Sequence, residues 1–224
     1  MTIAAVILAA RPAAALLEVE GVANARRLVD TAWAGGAMPI VVVSADPDGA
    51  VARVLAGSTA LLADPAAEED GPVGQICRGI DVARAEVLGT EAALVWPARM
   101  GWVDAETVTS LIEAHGADRA AVLRPAFRSE AGWPVLVPVL HLEALRGLDA
   151  ALMPGPLVEA LTAAVGGRFV ELGDPGTVHD LETPRGDLPP FEAPPEPASA
   201  LHHEWGSPAA AGPDESPDPA RTVG

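Results

Sequence analysis

Apolar positions along the chain alternate between two periods. Residues 3–10, Ile-Ala-Ala-Val-Ile-Leu-Ala-Ala, hold nothing polar and predict a strand covered on both faces. Val22, Arg26, Val29 and Trp33, with Ala25, Leu28 and Ala32, then repeat at a helical period that Gly35-Gly36 closes. "MPIVVVS" (38–44) is a β-branched strand. Asp46-Pro47 predicts an N-cap and a first helical residue for a short helix through Leu55. "TALLAD" (59–64) and "AALVW" (92–96) predict strands on either side of a helix over 72–87, whose Val73, Ile76, Ile80 and Ala83 share one face. Asp104 caps a helix with a Val108, Leu111 and Ile112 stripe that ends at Gly116. Strands at 119–125 and 133–138, short helices at 141–147 and 156–165, and a strand at 168–172 complete the set.

Strand–helix alternation with wholly apolar strands predicts the α/β class: a three-layer α/β/α sandwich around a mostly parallel, Rossmann-like sheet. Ligands of such sheets sit beyond the carboxyl ends of the strands, at the switch point. Chemistry is therefore sought after residues 3–10, 59–64 and 92–96. From Pro189 the periodicity stops and proline, acidic and small residues take over. This composition predicts a domain over 1–188 and a disordered tail over 189–224. His202-His203 fall in that tail without the further ligands a metal site needs.

Charge and cysteine usage narrow the function classes. The chain has 31 acidic residues against 14 basic ones, for a formal net charge of -17. Nucleic-acid backbones and anionic membrane surfaces are excluded as general partners. All the basic residues are arginine, so no chemistry here can use a lysine. The single Cys77 rules out an intrachain disulfide and a CxxC metal site, and its apolar setting reads as a packed thiol. No apolar run nears the ~18 residues of a membrane span. Residues 3–10 with "VANA" (22–25) have the outline of a secretory segment. No basic residue precedes the run, however, and Arg11, Glu18 and Glu20 interrupt it, so a strand and a cytoplasmic location are expected.

Five segments carry more specific information. Leu8-Ala9-Ala10 ends the first strand, and "LLEVEG" (16–21) follows closely. "DGPVGQICRGIDVA" (70–83) opens a helix with a Gly-Pro turn. "ALVWPARMGWVDAETVTSLI" (93–112), "RPAFRSEAGWPVLVP" (124–138) and "GDPGTVHDLETPRGDL" (173–188) complete the series. In this order they resemble the MobA-like NTP transferases, the molybdenum-cofactor guanylyl- and cytidylyltransferases and their relatives. The resemblance spans residues 3–188 and implies a nucleotide-diphospho-sugar transferase-like fold. It also implies transfer of a nucleoside monophosphate from an NTP to a molybdopterin-type phosphorylated acceptor, with Mg²⁺ bridging the phosphates.

Carried over residue by residue, the resemblance makes Leu8, Ala9, Ala10, Arg11, Gly71, Pro72, Gly74 and Arg99 candidates for nucleotide binding, and Asp180 the candidate metal ligand. Gly71, Pro72 and Gly74 match the turn that relatives use near base and ribose. Asp180 and Glu182 match a late acidic element, and Thr183-Pro184 the turn after it.

The departures are as informative. Family members cradle phosphates in a glycine-rich loop ending in lysine. Here only Arg11-Pro12-Ala13-Ala14-Ala15 separate Ala10 from Leu16, and Ala14 falls at the lysine position. Pro12 has no N–H to donate. Arg99 stands where the resemblance places the metal-binding aspartate, and a guanidinium repels Mg²⁺ while suiting a phosphate. Trp133 replaces a histidine and reads as a packed aromatic. Two functions stay open: a nucleotidyltransferase impaired by these losses, or a non-catalytic module that binds an NTP, a molybdopterin-type ligand or a protein partner.

Overall fold

The computed structural model describes residues 1–9 and 11–192. Ala10, most of the proline-rich tail and His202-His203 lie outside the described residues. The chain runs β1 (Thr2–Leu8), α1 (Pro12–Leu16), a hairpin of β2 (Glu18–Val19) and β3 (Val22–Ala23), α2 (Asn24–Ala34), β4 (Ile40–Val43), α3 (Ala50–Leu55) and β5 (Leu61–Ala63). It continues through α4 (Gly71–Glu86), β6 (Thr90–Pro97), α5 (Ala105–Ala117), β7 (Val122–Phe127), β8 (Glu130–Ala131) and β9 (Val135–Pro138). The last elements are α6 (Leu142–Arg146), α7 (Pro154–Val165) and β10 (Gly167–Glu171).

One eight-stranded sheet has the order β10-β7-β9-β6-β1-β4-β5, with β8 added to β7. Its β1–β4, β1–β6, β4–β5 and β7–β10 pairs are parallel, while β9 runs antiparallel between β6 and β7. Strand order reverses at β1, because the chain leaves it for β4 on one side and returns to β6 on the other. This is the switch point at which open α/β sheets place ligands.

The apolar strands are apolar because both faces are covered. Ile3 to Ile7, Ile40 to Val43 and Ala92 to Trp96 are buried. Helices α2 and α5 pack on each other with α1 and α3 beside α2, and α4, α6 and α7 form a second group. The α4 stripe of Val73, Ile76, Ile80 and Ala83 is buried as its spacing predicts. Cys77 packs beside it, and burial pushes its thiol up to about 11, which suits an inert core residue.

Three local readings need correction. The helix expected from Pro47 begins at Ala50, after a left-handed Gly49. Asp46 still caps it, accepting from Val51 N at 2.8 Å and Ala52 N at 2.9 Å, because Pro47–Gly49 form a turn beneath the carboxylate. Val22 lies in the β2–β3 hairpin, not in the helix, where the turn at Glu20-Gly21 takes positive φ. The α5 helix continues through Gly116 to Ala117.

His115 of α5 is buried, and both ring nitrogens lack partners among the described residues. Burial holds its pKa below the ordinary 6.5, with Arg119 adding to the effect and the nearby carboxylates of Glu91 and Asp118 opposing it. Below that value the unfolded chain takes up a proton that the folded chain refuses. Stability is therefore full above pH 6.5 and is lost as pH falls toward the depressed folded-state pKa, by up to about 1.4 kcal/mol per unit. His115→Leu is expected to flatten this acid limb. Denaturant midpoints of both proteins at pH 5.5 and 7.5 measure it, and an unchanged slope in the variant would refute the assignment.

Candidate functional site

The site grows from the parallel pairing of β1 and β6. Leu8 is in register with Pro97, and Ala98 N donates to Leu8 O at 2.9 Å. Beyond these residues the two strands diverge, one into α1 and the other into a turn over 98–102. With the first turn of α7 they wall a cavity of about 740 Å³. Leu8, Ala9, Arg11 and Ala14 form one side, and Pro97, Ala98 and Arg99 the second. Met153–Pro156 form the third, a segment the sequence reading gave no role. Apart from Arg11 and Arg99, every lining side chain is apolar. A neighbouring cavity of about 230 Å³ shares Ala14 and Arg99 and adds Asn24, Asp180 and Glu182.

No phosphate loop is hidden here. Pro12 starts the five-residue α1 directly after Arg11. The segment holds no glycine, and Ala14 is at the wall where the resemblance expects a lysine. Asn24, unremarked in the sequence, fixes this arrangement. It is buried, and its Nδ2 donates to Ala14 O at 3.2 Å and to Ala98 O at 2.7 Å, tying the two walls together. Asn24→Ala is expected to cost about 2 kcal/mol by stranding both carbonyls. Urea denaturation checks the loss, and hydrogen exchange faster at α1 than in β4 would locate it.

Asp180 arrives from far along the chain by two ties. Leu181 N donates to Arg99 O at 2.9 Å. Trp102 Nε1 donates to Asp180 O at 3.1 Å and Thr183 O at 3.0 Å. Arg27 and Arg185 lie over the Trp102 ring, 5.0 Å and 5.9 Å from its centroid, and share the Glu20 carboxylate at 2.7 Å and 2.6 Å. That cluster lowers the pKa of Glu20, chiefly through the Arg27 hydrogen bond. Upstream, buried Asp174 accepts from Asp104 N, Thr107 Oγ1 and Gly176 N at 2.7–2.8 Å, pinning the same segment to the start of α5.

These ties bring Asp180 to Arg99, Nη1 to Oδ2 at 3.7 Å. The other Asp180 oxygen accepts from Glu182 N at 3.0 Å, so the aspartate also forms its own turn. The donor set does not fit a divalent cation. Asp180 faces a guanidinium, and no group of three His, Cys, Asp or Glu side chains is placed to hold a metal among the described residues.

Leu8, Ala9, Arg11 and Arg99 thus meet at one cavity, and Arg99 meets Asp180 at its edge. The position of Ala10 is outside the described residues. Gly71, Pro72 and Gly74 do not line this cavity. Gly71 has φ +57 and abuts the backbone of Ala150, so the loop before α7 covers the turn assigned to base and ribose. Trp133 is packed in the core, as its residue type predicts.

A switch-point cavity on this sheet defines a ligand-binding protein of the open α/β class. The MobA-like NTP transferase domain family matches residues 13–165, and the chain belongs to it. Among solved structures, 4-diphosphocytidyl-2C-methyl-D-erythritol synthase is similar at TM-score 0.63 and 18% identity, over 83% of this chain and 95% of that one. The 2-C-methyl-D-erythritol 4-phosphate cytidylyltransferase from Thermus thermophilus gives 0.59 and 18%, over 84% and 96%. Rv0371c from Mycobacterium tuberculosis, in complex with manganese, gives 0.57 and 16%, over 77% and 88%. At these identities the likeness is one of fold. No curated protein matches the chain in sequence. No helix among the described residues is long and apolar enough to cross a membrane.

Proposed function

We propose that this member of the MobA-like family binds an anionic ligand in the cavity beyond β1 and β6 and does not carry out metal-assisted nucleotidyl transfer. The observation that supports this reading is the Arg99–Asp180 pair. Transfer from an NTP requires charge on the α-phosphate and the departing pyrophosphate to be neutralised as it develops. Loop amides, a lysine and metal-binding carboxylates would do this, and each is replaced: by Pro12, by Ala14 and by Arg99. Removing one such donor commonly costs on the order of 10²–10³ in rate.

What remains suits binding. Arg99 keeps its charge at every accessible pH and presents a planar fork to an oxyanion. Arg11 lines the same cavity and has no ion-pair partner among the described residues. Calorimetric titration of the full chain with GTP, CTP and ATP, each with and without Mg²⁺, tests the reading together with a pyrophosphate-release assay. No binding that Mg²⁺ strengthens, and no pyrophosphate released, is the expected result. Binding strengthened by Mg²⁺, or pyrophosphate released in its presence, would overturn it.

A further inference from the structure

We infer that the occupant of this cavity is a ligand with a broad apolar or aromatic body and a single anionic group, not a nucleoside triphosphate. The inference rests on the proposal that the cavity is the ligand site and names the class of ligand it takes.

Three observations carry it. The first is the lining. Leu8, Pro97, Met153, Pro154 and Pro156 surround the space, and prolines supply no N–H for a phosphate chain. The second is the charge at the rim. Arg11 and Arg99 set against Asp180 leave one net positive charge. A triphosphate brings about four negative charges to a wall that can balance one. The chain's own net charge of -17 adds long-range repulsion that grows with the ligand's charge. The third is the turn at Gly71, which packs on Ala150 and is absent from the cavity lining, so it supplies no contact there for a base or ribose.

A ligand that meets these conditions lays its apolar face on Met153 and Pro97 and its anion on the Arg99 fork. The volume of about 740 Å³ is enough for a fused-ring or long-chain acid. A carboxylate and a phosphate monoester would both serve, since the guanidinium fork accepts either.

The test uses 1-anilinonaphthalene-8-sulfonate, a fused aromatic with one anionic group, and N-phenyl-1-naphthylamine, the same rings without it. Fluorescence titration of the full chain is expected to give saturable 1:1 binding of the sulfonate. Binding should weaken about ten-fold for the neutral amine and about ten-fold in Arg99→Ala, the scale of one charge-assisted hydrogen bond. Met153→Asp, which places a favourable capping residue before α7, should weaken both probes without loss of fold. GTP in equal amount should leave the sulfonate bound.

Displacement by GTP, equal affinity for the neutral amine, or absence of saturable binding would each overturn the inference. Circular dichroism of both variants separates loss of binding from loss of fold. Failure of the broader proposal reads out separately, as pyrophosphate release in Mg²⁺ whatever the naphthalene probes do. Octanoate and phenyl phosphate as competitors distinguish a carboxylate ligand from a phosphate monoester.

Discussion

Arg99→Asp is expected to create a divalent-cation site beside Asp180. The substitution removes the guanidinium beside Asp180 and puts a second carboxylate in its place. Two like charges at that spacing repel, and a hard cation relieves the repulsion with oxygen ligands and retained waters. The backbone hydrogen bond from Leu181 to Arg99 O needs no particular side chain, so the Asp180 segment stays where it is. The Arg99 side chain is 66% exposed, and its loss should cost little stability. Mn²⁺ binding followed by electron paramagnetic resonance should rise at least ten-fold over the natural protein. Asp180→Asn in the same background should abolish the gain. Equal, weak Mn²⁺ binding by natural and Arg99→Asp proteins would mean that the ion pair does not occupy a metal position. Nucleotidyl transfer is not expected to return with the cation, because Pro12 and Ala14 still offer neither loop amides nor a lysine.

Gly79→Val is expected to cost about 3 kcal/mol or more and to leave little folded protein. In α4, Gly79 faces the centre of the sheet. A Cβ at that position would overlap the Val6 Cγ1 methyl and stand 3.1 Å from Val43 Cγ2. Val6 and Val43 are fully buried on β1 and β4, so neither can turn away into solvent. Interiors packed like crystals respond to added methyl groups with strain of about 1–3 kcal/mol, and more where backbone must shift. Against a total stability of about 5–15 kcal/mol, that is a large share. Chemical denaturation measures the loss. Gly79→Ala with Val6→Ala should recover part of it, because the second change opens the space the first fills. A Gly79→Val protein within ~0.5 kcal/mol of the natural one would show that α4 stands farther from β1 than described.

The interior of the fold was legible in the residues. Apolar runs mark strands covered on both faces, and the stripe from Val73 to Ala83 marks the inner face of α4, because burial acts on every residue of the first and on every third-to-fourth residue of the second. The Asp104 cap is local chemistry, and its carboxylate accepts from Glu106 N as the sequence predicts. The shortened segment after β1 and the arginine at position 99 are likewise plain in one dimension, since they are substitutions against a pattern of residue types.

Other features depend on which elements meet. Nothing local in "WPVLVP" places β9 antiparallel between β6 and β7. Asn24 looked unremarkable until α1 and the end of β6 both delivered a carbonyl to it. Gly71 kept its residue type while the approach of Ala150 altered its surroundings. Residue types and spacing determine what a segment buries and what its side chains can do. Hydrogen bonds and ion pairs between positions as distant as Arg99 and Asp180 form only where the packing of intervening elements brings them within a few ångströms, and that was decided by the tertiary structure alone.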